Sequence, residues 1–167
     1  VYGVFALLEV IRKERIPLFV HISTDEVYGD LREGDSADEG YPFRPSSPYS
    51  ASKAAGDLLV QSYYRTYGVP AIVLRPSNNY GPYQYPEKLI PKTIIRALHD
   101  APIPLYGGGE QVRDWLYVED FCEALWTVIE KGEIGEAYNV PGFNERRNIE
   151  VVKAILEILG KPKDLIK

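Results

Sequence analysis

The chain has 167 residues, of which 45% are hydrophobic and 26% charged, with a formal net charge of −5 and a pI near 5.1. This is the composition of a globular domain with a sizeable core, and its acidic balance argues against a general nucleic-acid binder, which would present a basic face. A single cysteine, Cys122, excludes an intrachain disulfide framework and points to a reducing, cytoplasmic setting, and no apolar run is long enough to span a bilayer, so no membrane partner is expected.

VYGVFALLEVIRKERI, residues 1–16, carries apolar residues at helical spacing and ends in basic ones, which predicts a helix. Pro17 stops it, and LFVHIS is a short, continuously apolar strand of the kind buried on both faces. From about Gly29 to Pro48 the chain is rich in Gly, Pro, Ser and acids, a loop long enough to suspect function. PYSASKAAGDLLVQSYYRTYG is a long helical pattern closed by Gly68, and PAIVLRPS is a second buried strand. A further loop leads to PEKLIPKTIIRALHD, predicted helical on both sides of Pro91. PIPLYG and VRDWLYV read as short strands around the turn GGGEQ. EDFCEALWTVIEKG is helical, EAYNV a strand and NIEVVKAILEILG a helix. Strands alternating with helices predict an α/β fold with a mainly parallel sheet. His21 and His99 have no partner at metal-ligand spacing, so no metal site is predicted; Cys122, Trp115 and Trp126 are assigned to packing.

Chemistry concentrates at two places. HISTDEVYGD sets Ser23, Thr24, Asp25 and Glu26 just past the first buried strand. Two carboxyls in different surroundings can divide the work of acid and base; solvated loop acids are the plain alternative. YSASK places Tyr49 and Lys53 four apart, on one face of a helix start. A lysine ammonium near a phenol favours the phenolate and lowers its pKa from about 10, so that it can take a proton from an alcohol near neutral pH. A surface pair is the alternative there. In open α/β sheets, ligands bind where strands end in this way.

Four motifs in this order, STDEVYGD, PYSASKAAGD, RPSNNYGPYQYPEKLIP and VRDWLYVEDF, resemble the extended short-chain dehydrogenase/reductase superfamily of NAD-dependent epimerases and dehydratases. The likeness is greatest to its sugar-nucleotide dehydratases. The resemblance implies part of a Rossmann-like doubly wound parallel sheet plus a smaller mixed α/β substrate-binding region. Residues 1–80 would form the C-terminal half of the NAD-binding domain and hold the catalytic residues. Residues 81–167 would mostly bind the sugar nucleotide, with about 111–140 returning to the Rossmann domain.

The implied reaction is dehydration of dTDP-glucose to dTDP-4-keto-6-deoxyglucose, with NAD as cofactor. Tyr49 matches the base that deprotonates the 4-hydroxyl while hydride leaves carbon 4, and Lys53 the lysine that holds the nicotinamide ribose and tunes that tyrosine. Thr24 matches the residue bonded to the same hydroxyl, Glu26 the base for carbon 5, and Asp25 the acid for the departing 6-hydroxyl. Ser23 and Asn79 fall at cofactor positions and Asn78 at a substrate position. Glu87, Lys88 and Leu89 match a segment along the sugar diphosphate, and Arg113 an arginine on that diphosphate. Pro104, Leu105 and Tyr106 lie where the nucleoside is contacted, and Asn148 matches a further substrate position.

The Thr-Asp-Glu run separates a dehydratase from the other readings, a UDP-sugar 4-epimerase or decarboxylase of the same superfamily, or an inactive fragment. The glycine-rich dinucleotide fingerprint is not among these residues, and there is no methionine. The chain is therefore expected to be a fragment lacking that N-terminal segment and the C-terminal end, binding NAD weakly and inactive alone. A homodimer through helices 2–15 and 49–67 is expected from the same resemblance.

Overall fold

A computed structural model describes residues 1–32 and 34–167. In chain order the elements are α1 (Tyr2–Glu14), β1 (Phe19–Ile22), α2 (Pro48–Tyr67), β2 (Ala71–Pro76), β3 (Asn78–Tyr80), α3 (Leu89–Leu98), β4 (Val112–Tyr117), α4 (Val118–Lys131), β5 (Ala137–Val140), β6 (Glu145–Arg147) and α5 (Asn148–Ile158). They fall into two compact units, residues 1–77 with 120–140, and residues 78–119 with 141–167. The class is α/β, as the alternation predicts.

In the first unit the sheet order is β1-β2-β5, all parallel, with Val20 opposite Ile72 and Val73 opposite Ala137. All six residues of the central β2 are buried, which fits the unalternated apolar run AIVL that precedes the buried Arg75. Leu8 and Ile11 of α1 meet Val60 and Tyr63 of α2 over Val69, Ala71 and Val73. Burying an aliphatic side chain as fully as Leu8, at 0% exposure, contributes about 1.5–3 kcal/mol. Gly68 closes α2 in the left-handed conformation (φ 68°), which a residue without Cβ adopts at no steric cost. A Cβ on Gly56 would lie 3.2 Å from His21 Nε2, so this glycine lets α2 approach β1 closely.

In the second unit β4 is central. It pairs with β3 in parallel and with β6 antiparallel, a mixed sheet. Its core lies where α3 packs on α5, with Ala97, Ile103, Val152 and Leu156 fully or nearly fully buried.

Several sequence-based expectations need correction. PIPLYG is not a strand: Ile103 makes one isolated bridge to Ile166, and Tyr106–Gly109 forms a 3-10 turn. Pro102 and Pro104 lack the N–H that a ladder requires, and Gly107 and Gly108 turn left-handed. Before Pro91 only Leu89 and Ile90 are helical: α3 begins at Leu89 and takes the proline in its first turn, where its missing N–H costs nothing. β3 falls in a segment read as a loop and β6 in one given no element; both are three residues long and polar. Trp115 is packed, but Trp126 is 61% exposed and Cys122 is exposed too, since no residue of α4 is buried. The apolar stripe of α4 is real, but Phe121, Ala124, Leu125 and Val128 along it are only half-buried. No helix of the described residues is long and apolar enough to cross a membrane.

Candidate active site

β1 runs directly into Ser23 and Thr24. The Ser23 amide donates to the Leu74 carbonyl at 2.7 Å, which extends the parallel ladder by one rung. Its hydroxyl lies close enough to the buried Asp57 carboxylate to favour its charged form. Thr24 is extended (φ −161°) and caps the 3-10 turn Asp25–Tyr28: its Oγ1 accepts the Glu26 N–H at 3.3 Å and donates to Asp25 Oδ1 at 3.2 Å. Asp25 is half-buried and Glu26 exposed, so the two carboxyls do occupy different surroundings.

α2 supplies the other half. Ser47 and Ser50 form a reciprocal capping box and Pro48 occupies the first turn, which fixes the helix start immediately before Tyr49. One turn on, Lys53 Nζ donates to the Ile22 carbonyl at 2.6 Å, the last rung of β1 before the Ser-Thr-Asp-Glu run. α2 also packs on the Asp25–Tyr28 turn, with Ala54 against Val27 and Tyr28. The Tyr49 phenol departs from the sequence-based expectation. Burial pushes its pKa up, and the negative charges of Glu26 and Asp25 push it further in the same direction. The ammonium expected to lower it is directed at a main-chain carbonyl, while the charges of Glu26 and Asp25 act on the phenol.

One turn beyond Lys53 lies Asp57, at 0% exposure. Arg75 Nε donates to its Oδ2 at 2.9 Å, and His21 Nε2 stands 3.4 Å from Oδ1. Burial alone would raise the Asp57 pKa. The polar groups of His21 and Ser23 and the Arg75 guanidinium that bonds it outweigh this and hold the carboxyl below its ordinary value. Arg75 Nη1 donates to Tyr28 Oη at 2.7 Å and to the Glu39 carbonyl at 3.1 Å, and the Tyr28 hydroxyl passes on to Asn139 Oδ1 at 2.7 Å. Tyr49, Lys53 and Asp57 thus form a stripe at i, i+4 and i+8, of which Lys53 and Asp57 meet the end of β1. Sequence reasoning missed this network: of its members only His21 and Ser23 drew attention, and neither for this role.

The second unit contains a hollow of about 240 Å³ walled by Asn78, Asn79, Gln84, Lys88, Leu89, Arg113, Trp115 and Asn148. Asn78 sits opposite Trp115 in the β3–β4 ladder, and Gln84 Nε2 donates to the Asn79 carbonyl at 2.9 Å. Six residues predicted from sequence therefore meet here. Four others do not line the hollow: Glu87 pairs with Lys88 at 3.8 Å, Leu105 joins the α3–α5 core, and Pro104 and Tyr106 are exposed. Gln84 and Trp115 were missed. The available signal for Trp115 was its place two residues after Arg113, on the same strand face.

Residues 1–141 match the family described as NAD dependent epimerase/dehydratase. The chain belongs to that family. It is 51% identical over 181 aligned residues to the dTDP-glucose 4,6-dehydratase of Xanthomonas campestris pv. campestris, covering 98% of this chain and 52% of that protein. The crystal structure of the Bacillus anthracis dTDP-glucose 4,6-dehydratase in complex with NAD superposes with a TM-score of 0.96 at 51% identity, over 100% of this chain and 54% of that one. The Streptomyces venezuelae dTDP-glucose 4,6-dehydratase DesIV, solved with NAD and TYD bound, also gives 0.96, at 41% identity over 99% of this chain and 51% of that one. The chain spans about half the length of the curated relatives it matches.

Proposed function

We propose that this chain carries the catalytic and sugar-nucleotide-binding residues of an NAD-dependent hydro-lyase that converts dTDP-glucose to dTDP-4-keto-6-deoxyglucose and water. One observation carries the reading: Thr24, Asp25 and Glu26 are held at the end of β1 beside Tyr49 and Lys53 of α2. The residues present fit the nicotinamide ribose of NAD. Lys53 gives one N–H to Ile22, which leaves two for ribose hydroxyls, with Ser23 and Tyr49 as the neighbouring cofactor-side residues; Asn79, in the second unit, is proposed as a further cofactor residue. When bound, NAD would take hydride from carbon 4 of the sugar and return it to carbon 6.

The chain's own groups move the protons. Tyr49 takes the proton of the 4-hydroxyl, and the Thr24 hydroxyl orients that oxygen. The resulting 4-ketone acidifies carbon 5, from which Glu26 removes a proton, while Asp25 gives one to the departing 6-hydroxyl; once hydride has come back to carbon 6, Glu26 returns its proton to carbon 5. On the substrate side, Asn78, Lys88, Arg113 and Asn148 present donors in the hollow, with Leu89 as its apolar wall. Glu87, Pro104, Leu105 and Tyr106 remain substrate-contact proposals that await a bound nucleotide.

The test uses the intact protein carrying Asp25→Asn and Glu26→Gln. We expect dTDP-glucose to produce NADH absorbance without release of water or 4-keto-6-deoxy product. Undiminished product formation would remove the assigned roles, and wild-type protein inert to dTDP-glucose would remove the substrate. We further propose a cytoplasmic homodimer through α1 and α2. Its support is that Tyr2, Leu7 and Val10 of α1 and Leu58 of α2 are 54–81% exposed, an apolar surface suited to self-association. Leu7→Glu should shift the protein to monomer in light scattering; an unchanged mass would dismiss this interface.

A further inference from the structure

Strands β4 and β6 set like charges opposite each other twice: Asp114 faces Glu145, and Arg113 faces Arg146. Directly opposed side chains share a face of the sheet, and like charges there repel. The acidic couple is compensated within the protein. Asp114 Oδ2 accepts the Gly142 N–H at 2.6 Å and its Oδ1 accepts the Asn144 N–H at 2.8 Å.

The basic couple is not. Arg113 Nη1 donates to the Val112 carbonyl at 2.9 Å and Arg146 Nη1 to the Glu145 carbonyl at 2.7 Å, and among the described residues neither guanidinium forms an ion pair. The nearby carboxylates are engaged elsewhere. Arg147 pairs with Glu110 at 3.1 Å and Glu150 at 3.3 Å, and its own amide donates to the second Glu150 oxygen at 2.8 Å. Arg146 acts on Glu150 only as a more distant charge. Arg147 itself, one residue along β6, points to the opposite face.

The face shared by the uncompensated pair is the one that lines the hollow, because Arg113 and Trp115 both contribute to its wall. We propose that Arg146 is a second guanidinium of a diphosphate-binding site, which with Arg113 and Lys88 grips the diphosphate of a nucleotide sugar. A diphosphate offers acceptor oxygens to both forks and cancels the repulsion that the bare strand pair carries. This rests on the sugar-nucleotide reading above and adds a residue to it. The unpaired arginines mark where an anion belongs, and the adjoining hollow supplies room for the sugar or nucleoside attached to it.

Calorimetric titration of the intact protein with dTDP, thymidine and inorganic pyrophosphate tests this. We expect Arg146→Ala to weaken dTDP binding about tenfold or more, equivalent to ~1.4 kcal/mol, and to raise KM for the sugar nucleotide while kcat holds. Arg146→Lys should recover most of the affinity, and thymidine binding, which involves no phosphate, should not change. Arg147→Ala is the control for a charge on the other face and should leave dTDP affinity intact. Equal dTDP affinity in wild type and Arg146→Ala, both folded by melting temperature, overturns the proposal. Wild-type protein that fails to bind dTDP overturns the sugar-nucleotide reading instead; a pyrophosphate affinity that still falls in Arg146→Ala would uphold the anion site alone.

Discussion

Arg75 in the parallel sheet and the Arg113–Arg146 couple in the mixed sheet handle the same guanidinium in opposite ways. Arg75, 1% exposed, has a carboxylate at 2.9 Å, a phenol at 2.7 Å, a carbonyl at 3.1 Å, and the rings of Phe43 and Tyr28 at 4.8 and 5.3 Å. Arg113 and Arg146 are exposed and have one neighbouring carbonyl each. A charge removed from water must be matched inside the fold, whereas one left at the rim of a hollow keeps its binding capacity for a ligand. The first arrangement locks α2, and with it Tyr49 and Lys53, to the ends of β1 and β2. The second leaves the sheet surface ready for an anion.

The largest expected effect comes from breaking the matched charge. Asp57→Ala leaves Arg75 buried without its counter-ion and should cost about 3–5 kcal/mol in urea unfolding. A loss below about 1 kcal/mol would mean that Arg75 finds water or another partner, and the contrast between the sheets would collapse. The pH dependence sharpens the same point. The Asp57 pKa is depressed in the folded state, so its contribution is present above the unfolded value of about 4 and fades as pH falls through the folded one. Asp57→Asn should therefore remove part of the acid sensitivity of unfolding. Smallest is the expected stability effect of Arg113→Ala, about 0.5 kcal/mol or less in either direction, because an exposed guanidinium without an ion pair has little to lose. The same variant should bind dTDP more weakly. A large stability loss with unchanged binding would make Arg113 a structural residue and remove the comparison.

Local pattern was enough for much of the scaffold. The periodicities of α1, α2 and α5, the closing Gly68 and the apolar runs of β1 and β2 are short-range signals, and the structure follows them. β3 and β6 were illegible because three-residue strands of Asn-Asn-Tyr and Glu-Arg-Arg exist only through pairing with β4. α4 misled for the converse reason: its apolar stripe is local, but whether anything covers it is not. For the site, the Thr-Asp-Glu run and the Tyr49–Lys53 spacing were visible in the chain, and the structure sets them side by side. The direction of the Tyr49 pKa was not visible, because it depends on where Lys53 points and on how near two carboxylates from another element approach.

By itself, the sequence determined the α/β class, the elements with strong periodicity, and the residue types gathered after β1 and at the start of α2. Those are properties of neighbours along the chain, where backbone geometry alone dictates which side chains share a face. Only the tertiary structure decided that Asp57 and Arg75, 18 residues apart, and Tyr28 and Asn139, 111 apart, form one buried network. It alone decided, too, that Arg113 faces Arg146. Strand register and helix docking are set by packing across long sequence separations, and a charge acquires its meaning from whatever that packing brings opposite it.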